Sequence, residues 1–120
     1  MSAPAVERER ELWAALAEPS RLRVLEALLD RGDATPTTLA QQLPLTRQGV
    51  TKHLAVLRRV GLVEGQRHGR EVRYVVEPER LAEAARQLNA VAAQWDKRLA
   101  AIKGIAEAVR VRRQLASGDR

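Results

Sequence analysis

The residues of this chain best suited to chemistry lie in the stretch TRQGVTKHLAVLRRV, which runs from position 46 to position 60. Apolar side chains recur there at helical spacing, at Val50, Leu54, Leu57 and Val60, and predict a buried helix face. Off that face lie Arg, Gln, Thr and Lys side chains. Arg, Gln and Thr can hydrogen-bond base edges, and Lys and Arg neutralise phosphates. The expected chemistry is recognition of nucleic acid, and an ordinary solvated amphipathic helix is the alternative.

Two helices and a tight turn are predicted to position these side chains. Thr35 is a good N-cap and is followed by Pro36 at the first helical position, so a first helix is expected to about Leu43. Pro44 ends it, Thr46 caps the second helix, and Gly61 closes that helix in the left-handed conformation. This is the layout of a helix-turn-helix. The polar residues of its recognition helix include Arg47, Gln48, Thr51, Lys52 and Arg58.

The segment from Leu62 to Val76 has the alternating period of a strand pair. Its centre is the glycine-bearing turn His68-Gly69-Arg70, and Val72, Tyr74 and Val76 alternate with other residues as in a half-buried strand. A basic hairpin directly after a recognition helix is predicted to be a wing that contacts the phosphate backbone or the minor groove. The basic side chains of this wing are Arg67, His68, Arg70 and Arg73.

Helices are also predicted on both sides of this core. An N-terminal helix within residues 1–18 has an apolar stripe, and Pro19 opens a core helix. That helix should bury Leu22, Leu25, Leu28 and Leu29 on one face with Val24 beside it, and Arg31-Gly32-Asp33 should end it.

The last helix is expected to run from Pro78 to about Arg113. Leu81, Leu88, Trp95, Ile102 and Val109 repeat every seven residues, which is more than a small domain needs for its own core. We expect this stripe and the first helix to form a dimer interface, with both Trp residues in the monomer core as the alternative. The predicted interface residues are Val6, Trp13, Leu88, Trp95, Leu99 and Ile102.

Composition narrows the class of protein. The 120 residues carry a formal net charge of +6, so a polyanionic partner is expected, and a basic surface kept for solubility is the alternative. The chain has no Cys, which excludes disulfides, thiolate metal sites and thiol catalysis. No signal peptide, membrane span, phosphate loop or plausible nucleophile is present in the sequence. A cytoplasmic protein that is not an enzyme and needs no cofactor is therefore expected.

The motifs resemble those of the ArsR/SmtB-type winged helix-turn-helix repressors. The resemblance covers about Glu11 to Glu77 and rests on EPSRLRVLEALL, LTRQGVTKHLAVLRRVGLV and RHGREVRYVV. Its most specific part is VTKHLAVLRRVGLV, which is close to the family pattern VS-x-HL-x-x-LR-x-x-GLV.

The resemblance implies a mainly α fold with a small β-hairpin and long dimerisation helices at both ends. It divides a single domain, 1–120, into an N-terminal helix (1–18), a DNA-binding core (19–77) with its wing (62–76), a C-terminal helix (78–113) and a disordered tail (114–120).

Family members bind inverted-repeat operators as homodimers and repress transcription. By this resemblance, Thr46, Arg47, Gln48, Thr51 and His53 occupy positions that face double-stranded DNA. The alternative for His53 is a residue hydrogen-bonded within the fold. Arg47 and Gln48 replace residues that are commoner in the family, so the operator sequence does not transfer.

The chain departs from the family at its metal sites. The segment TTLAQQL lacks the family's Cys residues, the last helix lacks its His residues, and His53 and His68 are too few for zinc. No metal site is therefore expected, while a small-molecule effector stays possible. The alternative function is a winged-helix module for protein interaction or dimerisation that does not read DNA.

Overall fold

The computed structural model describes the backbone of residues 3–118 and the side chains of residues 7–118. The elements follow in the order α1 (Ala3–Ala17), α2 (Pro19–Arg31), β1 (Asp33–Ala34), α3 (Pro36–Gln42), α4 (Arg47–Arg59), β2 (Val63–His68), β3 (Glu71–Val76) and α5 (Pro78–Gly118). The predicted helices and hairpin are all present. None of the helices in the described part of the chain is long and apolar enough to cross a membrane.

The chain divides into two compact units, Met1–Ala84 and Ala85–Arg120. The first unit contains the winged helix-turn-helix and its core. The second unit contains the rest of α5, and none of its described residues is fully buried. The helix continues to Gly118, so the prediction that a disordered tail begins at residue 114 is wrong for residues 114–118.

The core of the first unit is aliphatic and lies among α1, α2, α3, α4 and the sheet. Val24, Leu28, Leu39, Leu54 and Leu57 are completely buried in it. The predicted inner face of α2 is partly wrong, because Leu22 and Leu29 are exposed and Val24 takes the central place. On a helix, Val24 and Leu28 share one side, and Leu22 and Leu29 lie well around from it.

The sheet has three antiparallel strands in the order β1-β3-β2. The two-residue strand β1 pairs Asp33 with Val75 and Ala34 with Tyr74, and it was not predicted. Two residues are too few to show an alternating pattern, and their partner lies some forty residues further along the chain. This strand ties the base of the hairpin to the end of α2.

A Schellman motif ends α4 and sets the direction of the wing. The amide of Gly61 donates to the Arg58 carbonyl and that of Leu62 donates to the Leu57 carbonyl, both at 3.0 Å. Gly61 has φ +83°, as predicted for the residue that closes this helix. Arg80 Nε donates to the Val60 carbonyl at 3.2 Å and satisfies another of the unpaired groups at the helix end.

We expect Gly61→Ala to lower the free energy of unfolding by about 1–2 kcal/mol, because an L side chain is strained in the left-handed region. A matched control is Gly104→Ala, since the added methyl group meets nothing within 4 Å and alanine favours a helix interior by about 1 kcal/mol. Chemical denaturation of both variants measures the difference. Equal changes of the same sign in the free energy of unfolding of the two variants would contradict the role of Gly61 in ending α4.

Candidate nucleic-acid interface

Helix α4 is held in the first unit by one completely buried face. Val50, Leu54 and Leu57 are 0% exposed and Val60 is 8% exposed, as the spacing predicted. The start of the helix is capped by Thr46, whose Oγ1 accepts a hydrogen bond from the Gly49 amide at 3.0 Å. These contacts fix the rotation of the helix about its axis, and so they fix which residues point outward.

The outward face carries polar and basic groups at the helix start. Five of the six predicted DNA-facing residues of this region are exposed; they are Thr46, Arg47, Gln48, Thr51 and Lys52. Among the described residues, Arg47 and Lys52 form no ion pair, so their positive charges are available to another molecule. The Thr51 hydroxyl donates to the Arg47 carbonyl at 2.9 Å and keeps its oxygen as an acceptor.

His53 does not share this exposure. Its side chain is 18% exposed, and its Nδ1 lies 3.7 Å from Oε2 of Glu18, at the start of α2. This separation is too long for a hydrogen bond, and Nδ1 has no hydrogen-bond partner among the described residues, so the alternative of a histidine hydrogen-bonded within the fold is not met at this atom. Its direct contact with DNA, which the resemblance implied, stays a prediction.

Glu18 is a residue that the sequence analysis missed. Its carboxylate caps α2 by accepting from the Ser20 and Arg21 amides at 3.2 and 2.8 Å. Partial burial acts to raise the pKa of this carboxyl, but the two amide hydrogen bonds and the facing His53 and Arg21 outweigh burial, and the pKa is lowered. The sequence Glu-Pro-Ser could have identified this helix cap, since a carboxylate before a helix-opening proline can cap the helix.

This lowered pKa predicts how stability depends on pH. A carboxylate with a lowered pKa in the folded state stabilises the fold above its unfolded pKa, near pH 4.3 for Glu, and loses that effect as pH falls through the folded pKa. We expect Glu18→Gln to be less stable than the wild type at pH 7 and to lose less stability on acidification. Denaturation from pH 7 to pH 3 measures both, and identical pH profiles would exclude this role of Glu18.

The wing is a tight hairpin with an exposed basic tip. Strands β2 and β3 pair from Val63 with Val76 to His68 with Glu71. Gly69 has φ +65° at the first of two turn positions, where type II′ hairpins need glycine. Arg67, His68 and Arg70 are exposed, and Arg67 Nε donates to the Gly69 carbonyl at 3.4 Å.

Arg73 lies on the wing but is already engaged by acidic groups. It lies 3.5 Å from Asp33 and 3.6 Å from Glu71, and its side chain is 45% exposed. Exposed pairs of this kind are weak, so the guanidinium remains accessible to a phosphate. The contribution of Arg73 to binding is expected to be smaller than that of Arg70, which has no ion pair among the described residues.

The residues predicted for a dimer interface differ in how they are exposed. Leu88, Trp95, Leu99 and Ile102 of α5 are exposed, and their place in a dimer interface stays a prediction. Trp13 is partly buried in the first unit. The predicted residue Val6 lies outside the residues whose side chains the structure describes.

No metal centre is visible in the described part of the chain, where no three His, Asp or Glu side chains come close enough to hold an ion. The described residues form a helix-turn-helix with a buried inner face, an outward polar helix face and a basic hairpin. These features define a winged helix-turn-helix protein.

Comparisons with known proteins agree with this class. Residues 16–66 match a helix-turn-helix domain family. The HTH-type transcriptional regulator CmtR of Mycobacterium tuberculosis strain H37Rv is 48% identical over 77 residues, which are 64% of this chain and 64% of that protein. The match therefore spans less than two thirds of the length of CmtR.

Solved structures extend the likeness over most of the chain. An ArsR-like transcriptional regulator from Rhodococcus sp. RHA1 is 40% identical, with a TM-score of 0.65 over 87% of this chain and 97% of that chain. The homodimeric winged helix-turn-helix DNA-binding domain of Mb0332 from Mycobacterium bovis is 26% identical, with a TM-score of 0.61 over 81% and 86% of the two chains. The chain belongs to the ArsR/SmtB family of winged helix-turn-helix transcriptional regulators.

Proposed function

We propose that this protein is a homodimeric transcriptional repressor that acts in the cytoplasm and binds an inverted-repeat operator in double-stranded DNA. The observation that carries the proposal is the division of α4 into two faces. Its inner face is completely buried, and its outer face presents Arg47, Gln48, Thr51 and Lys52 to solvent. A rigid helix with exposed Arg, Gln and Thr at its start can read base edges in the major groove.

The wing supplies the second part of the proposed interface. Arg67, His68 and Arg70 lie at the tip of a hairpin anchored by the buried residues Leu62 and Val63. Their role is contact with phosphates or the minor groove, which positions the protein without reading most of the sequence. Because such contacts release counterions, affinity should fall steeply as salt rises.

A dimer gives the recognition helices their spacing. Two helices related by a two-fold axis enter successive major grooves about 34–36 Å apart on an inverted repeat. The exposed apolar residues of α5 support the dimer, because a helix face with this much exposed apolar surface marks an interaction site. Repression follows where the operator overlaps a promoter.

Selection of bound fragments from the source genome, with purified protein at near-physiological salt, tests the proposal. A single enriched inverted repeat with half-sites one helical turn apart is expected. Binding without enrichment of any sequence, lost as salt rises, would contradict the repressor and favour a winged-helix interaction module.

A further inference from the structure

The recognition helix and the wing are joined by a very short segment of chain. Helix α4 ends at Arg59 and strand β2 begins at Val63, so only Val60, Gly61 and Leu62 lie between them. We call these three residues the junction. Val60 and Leu62 are buried on its inner side, but Gly61 has no side chain with which to hold its outer side in place. The conformation of the junction sets the angle between the two parts of the proposed DNA interface.

The first turn of α5 covers this outer side. The amide of Glu77, just before α5, donates to the Leu62 carbonyl at 2.8 Å. Arg80 Nε donates to the Val60 carbonyl at 3.2 Å. The Cγ and Cδ atoms of Arg80 lie 3.6 and 3.8 Å from the position that a Cβ atom of Gly61 would take. The Arg80 side chain therefore packs over the glycine and hydrogen-bonds to the residue before it.

The Arg80 guanidinium is itself held in place. Its Nη1 lies 3.2 Å from Oε1 of Glu83 on the same face of α5, and the Arg80 side chain is only 26% exposed. The guanidinium is thus fixed at two points, by Glu83 on its own helix and by Val60 at the end of α4. Its positive charge lies at the C-terminal end of α4, where the helix dipole favours a cation. These contacts engage Arg80 inside the first unit.

We propose that Arg80 is a positioning residue for DNA recognition, which holds the recognition helix and the wing at a fixed angle by binding the Val60 carbonyl. This inference rests on the proposed function and adds a residue that does not itself contact DNA. An operator is contacted by both parts at once, by α4 in the major groove and by the wing on phosphates or the minor groove.

A fixed junction favours the operator over other DNA. When the angle between α4 and the wing is set in advance, both sets of contacts form without the entropy cost of ordering the junction on binding. Non-specific DNA is held by phosphate contacts alone, which tolerate small changes of angle. An Arg80 side chain that only stabilised the fold would leave both affinities unchanged wherever the variant stays folded.

Hydrogen exchange of the full-length chain without DNA tests whether Arg80 holds the junction. Arg80→Met keeps an apolar stem over Gly61 and removes both polar contacts. The amides of Gly61 and Leu62 should then exchange about tenfold faster, as expected when a hydrogen bond from a charged donor no longer opposes local opening. The matched control is Arg86→Met, which removes the same charge from an exposed position of α5 and should leave these two amides unchanged.

DNA binding by the folded variants tests the positioning role. Arg80→Met should bind the selected operator about tenfold more weakly than the wild type, and its affinity for a scrambled duplex should fall no more than that of Arg86→Met. Arg80→Lys keeps the charge and a donor of similar reach, so it should recover most of the operator affinity. Fluorescence anisotropy, at a temperature where circular dichroism shows all variants folded, measures these affinities.

The outcomes separate this inference from the proposed function. Faster exchange at the junction together with a loss confined to the operator supports the role of Arg80. If Arg80→Met leaves the exchange of Gly61 and Leu62 unchanged, or binds the operator as tightly as Arg86→Met does, Arg80 is not a positioning residue. A wild-type chain that selects no operator overturns the proposed function, and with it any role of Arg80 in reading one, whatever the exchange rates at the junction.

Discussion

Replacing Arg47 with alanine is expected to lower affinity for the selected operator at least about thirtyfold. Arg47 is exposed near the start of α4, and it has no ion pair within the described residues. A good contact between an arginine and a base is worth about 1–3 kcal/mol, and a symmetric dimer loses it in both half-sites. Affinity for non-specific DNA should change only a few-fold, because the other basic groups still contact phosphates.

Fluorescence anisotropy with operator and scrambled duplexes measures this difference. Arg23→Ala is the matched control, since Arg23 is exposed on α2 and its loss changes the net charge equally. Arg23→Ala should lower the affinity for both duplexes slightly and to the same degree. If Arg47→Ala also lowers the affinity for both duplexes equally, Arg47 contacts only phosphate and does not read bases.

The largest expected loss of stability comes from Leu54→Ala, at about 2–5 kcal/mol. Leu54 is 0% exposed at the middle of the inner face of α4, so truncation removes apolar contacts and leaves a cavity. Domains of this size are stable by only about 5–15 kcal/mol, so the variant should unfold at markedly lower denaturant. DNA recognition by α4 should also be lost in this variant, because the buried face that contains Leu54 holds the helix in place.

Leu29→Ala provides the comparison for this prediction. Leu29 is 48% exposed on α2, and its truncation should cost well under half as much as that of Leu54. Denaturant unfolding at constant pH measures both variants. Equal losses would show that the inner face of α4 is not the centre of the core.

The helix-turn-helix could be predicted closely from the sequence because its signals are local. Thr35 and Thr46 cap their helices, Pro36 opens α3, and Gly61 takes a positive φ where α4 ends. The apolar spacing of α4, in steps of four and three residues, identified the buried face, and the exposed face followed from it. Each of these features depends on neighbours within a few residues.

Features that depend on distant neighbours were not predictable in the same way. His53 turns toward Glu18, which lies in another part of the sequence, and Arg73 meets Asp33 through strand β1. The seven-residue repeat of α5 indicated an interface but not where the helix ends. Residues 114–118 continue the helix because nothing in that segment, apart from its final glycine, breaks it.

If two α4 helices read two half-sites at once, affinity for the operator depends on the separation between the half-sites. Inserting five base pairs between the half-sites of the selected operator rotates one by about half a turn relative to the other. We predict that affinity then falls to the level of non-specific DNA, because a single dimer no longer reaches both major grooves. Unchanged affinity would contradict simultaneous reading of two half-sites and show that one helix reads one continuous site.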